Sequence, residues 1–518
     1  MNHTLSTLLA IALLLGSASV VTASTPILTQ DYSLIVPQEG FQNGRDLHVD
    51  QAGNAYVLTY FYVDHPEIRV NKITPNGELD HQFHFPVGEF AYTTGMAVSA
   101  QGDVYVTGWT SASDFPVVNA LQDQPQGSSD AFLVKWSGTT GEVEFATYLG
   151  GTHPDQGWDV ALTPQGNVVV VGATSSPNFP TVNPLQDSLN LTACFCDDVF
   201  VTELTPDGST IVFSTYLGGT FDDKGKQVAI GPQGQIYIAG DTDSHDFPLN
   251  SPFQDTFWGE GDGMVFGISS DRSQLSFSSF FGGEEVDRVR AIAVDAAGDI
   301  LLTGNTQSQA FPTTAGSYQS GFVGGINECG GGGYIPVRNC SDFFVLKVSE
   351  HGDLVMGTFL GGIHDDEANG ISSDVLGRIY VIGYASGPFP GAPDIPAPGA
   401  GIVISVLDPT GSELLGSHTR LSPVANAGHG IEVVGTKVYA CGSDNVPSDM
   451  WIARFQSNLE LDCLDFTAPD GVGMEDFLMQ GTYWSRSQFD PLMDLNQDGR
   501  VDQRDLLLML DHLGAACR

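Results

Sequence analysis

Near its C-terminus the chain reads DLNQDGRVDQRD, residues 494–505, and these side chains are spaced as ligands for a hard cation. Calcium takes roughly six to eight oxygens. Asp494, Asn496 and Asp498 offer side-chain oxygens at alternating positions, and Gly499 permits the sharp turn between them. Arg500 would supply its backbone carbonyl, Asp502 would act directly or through a water, and Asp505 would close the shell at the start of DLLLMLDHLG. Val501 would be an apolar pin between the arms. The pattern predicts one bound Ca2+. The plain alternative is an acidic turn capping a helix, which leaves Asn496 and Gly499 as coincidence.

Acidic groups recur elsewhere in the chain. Asp155, Asp222, Asp223, Glu284, Glu285, Asp287, Asp365, Asp366 and Glu367 fall in links between repeated units and define a candidate acidic binding face. Asp130, Asp198, Asp262, Asp342 and Asp449 recur at a different position, where an Asp caps backbone N–H groups of a turn. His153, His364 and His429 stand in links that look equivalent, which raises a metal set against three unrelated histidines. The sequence has no Gly-rich phosphate loop, no H-E-x-x-H and no G-x-S-x-G, so no catalytic residues are assigned. Among seven cysteines, Cys329 and Cys340 flank CGGGGYIPVRNC and suit a local disulfide. Cys463 and Cys517 bracket the C-terminal segment and are the second candidate pair, while Cys441, inside the strand VYACGS, reads as a buried free thiol.

The elements that must position these groups come from a repeat. GMAVSAQGDVYVTGWTSASDFP (95–116), GWDVALTPQGNVVVVGATSSPNFP (157–180), QVAIGPQGQIYIAGDTDSHDFP (227–248) and AIAVDAAGDILLTGNTQSQAFP (291–312) align with one another. Weaker copies are DLHVDQAGNAYVLTY (46–60), GISSDVLGRIYVIGYAS (370–386) and GIEVVGTKVYACGS (430–443), which makes seven. Each is completed by an apolar run such as DVFVTEL (198–204) and a closer such as FSTYLGG (213–219). Four short runs rich in Val, Ile, Phe and Tyr, parted by turn residues, predict a four-stranded antiparallel meander. Such a sheet, apolar on both faces, must stack on its neighbours. A glycine marks the period at positions 108, 172, 240, 304, 383 and 442. Seven units of this kind predict an all-β fold, a seven-bladed β-propeller closed into a ring without exposed edges, followed by a small helical calcium-binding domain. Either NLELD (458–462) or DYSLIVP (31–37) could complete the seventh blade, and the N-terminal strand is favoured because it would lock the ring.

The combination D-x-F-[VL], TYLGG, V-x-x-x-G-x-x-Y-[VI]-x-G and S-x-x-x-F-P resembles the SBBP family of bacterial β-propeller repeats over about residues 40–455. The resemblance implies the propeller fold and a structural or binding role. The first copy lacks the F-P element, and the sixth lacks the Asp before its third strand. The calcium loop, with Asp505 at its last position and a single following helix, resembles the dockerin type I module over residues 463–518. The duplicate expected of that module is DFTAPDGVGMEDFLMQGTYW (465–484), in which Val472 and Asp476 align with Val501 and Asp505. Pro469 and Gly473 replace the ligands Asp498 and Asp502, so this first loop binds nothing. The resemblance implies docking to a cohesin-like or surface scaffold protein through Gln503, Arg504, Asp511 and His512; a calcium-stapled cap is the other reading.

The apolar run LSTLLAIALLL followed by small residues to Ala23 reads as a signal peptide, residues 1–23, with the propeller over 24–462 and the dockerin-like domain over 463–518. The expected location is extracellular or cell-surface, in a bacterium. With 19 basic and 62 acidic residues the net charge is −43, which disfavours nucleic acid and anionic lipid as partners; no membrane insertion is expected. The expected function is a secreted, non-enzymatic binding protein whose propeller recognises a glycan or protein ligand and whose calcium-ordered tail attaches it. The alternative is a polysaccharide-degrading glycosidase or lyase carried by the same tail.

Overall fold

The structure is a computed structural model that describes residues 27–36, 41–62, 67–88, 90–190, 196–325, 329, 338–395, 400–422, 428–444 and 449–458. The calcium loop at 494–505, Cys463, Cys517 and the leader at 1–23 lie outside the described residues.

Among the described residues, twenty-eight strands form seven four-stranded antiparallel sheets. Six sheets are meanders of consecutive strands, as in the third blade: β10 (Asp155–Leu162), β11 (Val168–Thr174), β12 (Asp198–Leu204) and β13 (Ile211–Leu217). All seven residues of β11 and of β12 are buried, because neighbouring blades cover both faces of each sheet. Seven hydrophobic cores fill the seven interfaces between blades. The recurrent Phe of the F-P element belongs to these cores: Phe179 lies 4.6 Å from Phe200 and Phe311 lies 4.7 Å from Phe344, centroid to centroid.

The seventh blade closes the ring with the N-terminal strand. Its order is β1 (Leu28–Val36), β28 (Asp449–Ser457), β27 (Lys437–Asp444), β26 (Gly428–Val434). Leu28 pairs with Ser457 at one end of the β1–β28 ladder and Val36 with Met450 at the other. Asp31 accepts from Lys437 Nζ at 2.8 Å and Arg454 Nε at 3.0 Å, and the Trp451 indole donates to Ser33 Oγ at 3.0 Å. Burial works to raise the Asp31 carboxyl, but these two cations hold it below its ordinary value.

The innermost strands are β2 (Phe41–Val49), β6 (Ala91–Val98), β10, β14 (Asp223–Ile230), β18 (Asp287–Val294), β22 (Asp366–Ser373) and β26. Each touches the next around the axis, and β26 touches β2. Every one carries a one-residue register shift at the same place, between Gly157 and Asp159 in β10 and between Val289 and Ala291 in β18. This bulge explains the period-marking glycine. A Cβ on Gly108 would lie 1.8 Å from the Tyr92 carbonyl oxygen, and one on Gly172 would lie 1.9 Å from that of Gln156. A glycine stands opposite the bulge in six of the seven blades and yields the space for this approach; in the first blade Thr59 takes the place, opposite Gly44.

A chain lacking β1 should fold less stably. Blade seven would keep three strands and expose the edge of β28. We expect a melting temperature lower by at least about 5 °C, with self-association on size-exclusion chromatography; an unchanged, monomeric protein would show that β1 does not lock the ring.

Candidate functional site

The bulge leaves one residue per blade outside the ladder, and four of these, Thr94, Arg290, Asn369 and His429, line a channel at the axis. The channel they enter has a volume of about 460 Å³ and is lined by all seven inner strands. The scaffold repeats, but the lining does not. Most blades place Gly or Ala in the next layers of the channel, as at Gly95, Gly370, Ala97, Ala161 and Ala229, whereas three blades place ionisable groups there.

Asp46, Asp159 and Glu432 form an electrostatically linked group with His48. Asp46 accepts the N–H of Leu47 at 2.8 Å and, from the next blade, that of Met96 at 2.9 Å. Asp159 repeats the arrangement with Val160 at 2.8 Å and Val228 at 2.9 Å. Glu432 takes the Val49 N–H across the closure between blades seven and one, at 2.8 Å. His48 lies 3.9 Å from Asp46 and 3.8 Å from Glu432. Gly95 leaves open the space beside Asp159, since its Cβ would sit 2.4 Å from Asp159 Oδ1. Burial, then the Asp46 charge, pushes Asp159 up to about 8, and burial pushes Glu432 up to about 7. Burial pulls His48 down, but the surrounding carboxylates, Asp46 foremost, raise it above its ordinary value. The oxygens of the group bind blade one to two, three to four and seven to one.

The acidic links divide into two kinds. Asp155, Asp223, Asp287 and Asp366 are buried at the first position of an inner strand, so they do not form an exposed acidic face. They hold the glycine pair of the preceding closer: Gly151, Gly219, Gly283 and Gly362 each donate N–H to the Oδ2 of one of them at 2.7 Å. Glu284 is exposed and accepts from the Gln309 and Ala310 N–H groups, both at 3.0 Å. Asp222, Glu285, Asp365 and Glu367 are partly buried. Asp365 is held through two hydrogen bonds by Arg338, at 2.9 and 3.1 Å. Arg338 lies in the segment closed by the Cys329–Cys340 disulfide, whose Cα atoms are 5.0 Å apart. Cys329, Cys340 and Asp365 sit close enough together to suggest a metal, but both sulfurs are already bonded to each other. Cys441 is a buried free thiol, as expected. His429 lies on an inner strand, whereas His153 and His364 precede one, so the three are not equivalent.

The second recurrent Asp caps backbone, as read from the sequence. Asp130 accepts from the Gln126 and Gly127 N–H groups, both at 2.8 Å, and Asp342 from Val323 and Gly324 at 2.9 and 3.2 Å. Each of these Asp residues also meets the buried Asp of the following blade. A methyl on Gly282 would lie 2.8 Å from Asp262 Oδ1 and 2.9 Å from Asp287 Oδ2. The Oδ1 atoms of Asp198, Asp262 and Asp342 are buried without a hydrogen-bond partner. A proton on that oxygen supplies the missing donor. Burial accordingly pushes Asp262 up to about 8, and Asp198, Asp342, Asp155 and Asp223 to about 7.

Two interfaces between blades differ sharply. Between blades two and three Tyr92 stacks on Trp109, with centroids 5.1 Å apart and planes at 19°, and Trp109 meets Trp158 at 5.3 Å. Between blades four and five Lys226 and Arg288 both bind Asp241, and Arg290 Nε donates to Asn305 Oδ1 at 3.3 Å.

The fold and the repeat define a seven-bladed β-propeller of four-stranded antiparallel blades. Residues 212–248 match the family model SBBP, Beta-propeller repeat, from an outer strand through the first two strands of the next blade. The chain is 26% identical over 305 residues to Regulatory protein FlaEY of Caulobacter vibrioides, covering 58% of this chain and 30% of that protein. It therefore spans about a third of that relative's length. Among solved structures, hydrazine synthase of Kuenenia stuttgartiensis aligns at a TM-score of 0.45 and 10% identity, over 82% of this chain and 98% of that one. A protein of unknown function from Dyadobacter fermentans aligns at 0.37 and 9%, over 84% and 100%.

Asp46, His48 and Glu432 were missed in the sequence because they stand in weaker copies, and Asp159, in a regular copy, because the neighbouring copies carry no acid at its position. Counting from the glycine period to the bulge would have placed them, one or three residues beyond it.

The carboxyl pairs make stability depend on pH with a definite sign. An unfolded Asp releases its proton near pH 4, whereas the buried ones hold theirs to about 7 or 8. Stability is therefore greatest at mildly acid pH and falls as pH rises from about 4 to about 8. We expect Asp262→Asn, which keeps a donor toward Asp287 and carries no charge, to flatten this slope and to melt a few degrees higher than the parent at pH 8.5. A parent melting temperature that rises with pH over that window would contradict the shared protons.

Proposed function

We propose that this chain is an exported, non-enzymatic binding protein, in which the propeller holds a ligand at its axis and the C-terminal segment, ordered by Ca2+, attaches it to a surface or scaffold protein. The observation that carries the first half is the channel: a rigid ring of seven interlocked blades around a single cavity whose lining differs from blade to blade. A repeated scaffold with one asymmetric site suits recognition. The regulatory name of the Caulobacter relative agrees with a role without chemistry. The attachment half rests on the ligand spacing of Asp494, Asn496, Asp498, Arg500, Asp502 and Asp505.

One observation favours a hydrolase instead. Asp159 and Glu432, pushed up to about 8 and about 7 in a channel, have the protonation a general acid needs. Their oxygens, however, are already engaged by backbone N–H groups of the following blades. That engagement favours a structural task for them, and binding remains the reading.

Both halves are testable. Calorimetric titration of the full chain with CaCl2 should give one site, and Asp498→Ala should abolish it; a site that survives in this variant would place calcium elsewhere. A glycan and peptide array should capture the full chain through the propeller with EDTA present or absent, whereas cohesin-type capture should vanish in EDTA. Polysaccharide turnover abolished by Asp159→Asn would replace binding with catalysis.

A further inference from the structure

We propose that a groove between blades four and five is a docking site for a partner protein, which inserts an arginine side chain against Trp258 and Glu284. The groove shares no lining residue with the axial channel, so this is a second site, separate from the ligand proposed at the axis.

The groove has a volume of about 340 Å³, with Phe253, Ala310, Pro312 and Leu354 as apolar wall and Trp258 and Glu284 in the same lining. The scaffold does not ask for an indole there. Gln126, Asn190, Trp258 and Val323 occupy one position in successive blades. Each donates its backbone N–H to Oδ2 of the buried Asp that follows, at 2.8, 3.3, 2.9 and 2.9 Å. That bond leaves the side chain free to vary, and Trp258 is 54% exposed. Its neighbour Phe257 packs inward on Phe280, with centroids 5.8 Å apart. The corresponding groove between blades three and four, lined by Leu185, Pro248 and Leu275, has no aromatic in its lining. The indole is therefore particular to one interface. Gly259 brings it beside Glu284, since a Cβ on Gly259 would lie 2.7 Å from the Glu284 carbonyl carbon.

Charge selects the occupant. Glu284 accepts the Gln309 and Ala310 N–H groups, one on each oxygen. Burial works to raise its carboxyl, but backbone donors hold it below its ordinary value, so it is anionic at neutral pH. Each carboxylate oxygen has a second lone pair for another donor. Among the described residues Glu284 has no cationic partner, and no basic side chain lines the groove. Asp255 and Glu260, exposed on the loop that carries Trp258, add to the negative field. An indole face attracts a cation. A guanidinium can stack on that face, pair with a carboxylate, and lay its methylene stem on the apolar wall. A neutral sugar would meet the indole and leave the Glu284 charge unused. An acidic segment would be repelled, and the net charge of −43 draws basic partners to the whole surface. An arginine carried on an extended segment satisfies indole, carboxylate and wall together.

Fluorescence polarisation of the full chain with a labelled heptapeptide, one central arginine flanked by leucines, tests the assignment. We expect saturable binding that weakens at least fivefold when citrulline, the uncharged isostere, replaces the arginine. The same loss is expected in Trp258→Ala and in Glu284→Gln. Parent-like melting curves would establish that the variants fold. If Glu284→Gln does not, a fivefold loss on raising NaCl from about 0.05 to about 0.5 M reports the charge in its place. Absent peptide binding, equal affinity for the citrulline peptide, or indifference to Trp258→Ala would each overturn the assignment. Cellotriose binding that depends on Trp258, with the arginine peptide inert, would replace the protein partner with a sugar.

Discussion

The approach of an inner-strand carbonyl to a glycine on the neighbouring strand is the contact on which the remaining architecture depends. The inner strand gains a residue there, and in six of the seven blades its partner yields the space of a side chain. Gly172, Gly240 and Gly304 do so, each with a carbonyl oxygen about 2 Å from where a Cβ would stand. The bulge increases local twist and turns one residue out of the pleat. Repeated around the axis, it occurs in all seven inner strands, and the bulged residues Thr94, Arg290, Asn369 and His429 are part of the lining of the channel. A purely regular inner strand would offer the axis mainly its backbone edge.

Polar groups complete what hydrophobic packing begins. Burial supplies most of the favourable free energy in the seven cores, but it is non-directional and would tolerate sliding between blades. Buried carboxyls remove that freedom. Asp46 and Asp159 reach a backbone N–H in the next blade, and Asp155 and its equivalents hold the glycine pair that ends the blade before. An unpartnered buried carboxylate would be costly. Surplus acceptor oxygens at Asp198, Asp262 and Asp342 are therefore best understood as protonated. Burial thus raises these interior carboxyls toward neutral pH in a strongly acidic protein.

Much of this was legible in the sequence, and the rest was not for definable reasons. The four-strand unit, the sevenfold count and the N-terminal closing strand follow from alternation and turn residues, which act locally. The Cys329–Cys340 pairing follows from short spacing. The cap role of Asp130 follows from its place at a turn. Asp155, Asp223, Asp287 and Asp366 misled because acidity in a link suggests solvent, whereas an inner strand begins there and buries its first residue. The channel group was hidden for a different reason. Asp46 and Glu432 are 386 positions apart and meet only because the ring closes. No local pattern carries that information; the bulge register does, once the glycine is understood as its mark.

Function in such a molecule belongs to the departures from the repeat rather than to the repeat itself. Where the copies agree, the shared residue has a mechanical explanation: a glycine for the bulge, a Phe for the interface, an Asp for the turn. Where they disagree at one structural position, the scaffold is indifferent and something else has chosen. The position of Trp109 is Ala173 in the third blade, Asp241 in the fourth, Asn305 in the fifth and Tyr384 in the sixth. Differences of that size at a constant backbone site are cheap for stability and large for chemistry. They gather aromatic rings, Tyr92, Trp109 and Trp158, between blades two and three, and charges, Lys226, Asp241 and Arg288, between blades four and five. Seven near-copies therefore build a ring whose interfaces have no sevenfold symmetry.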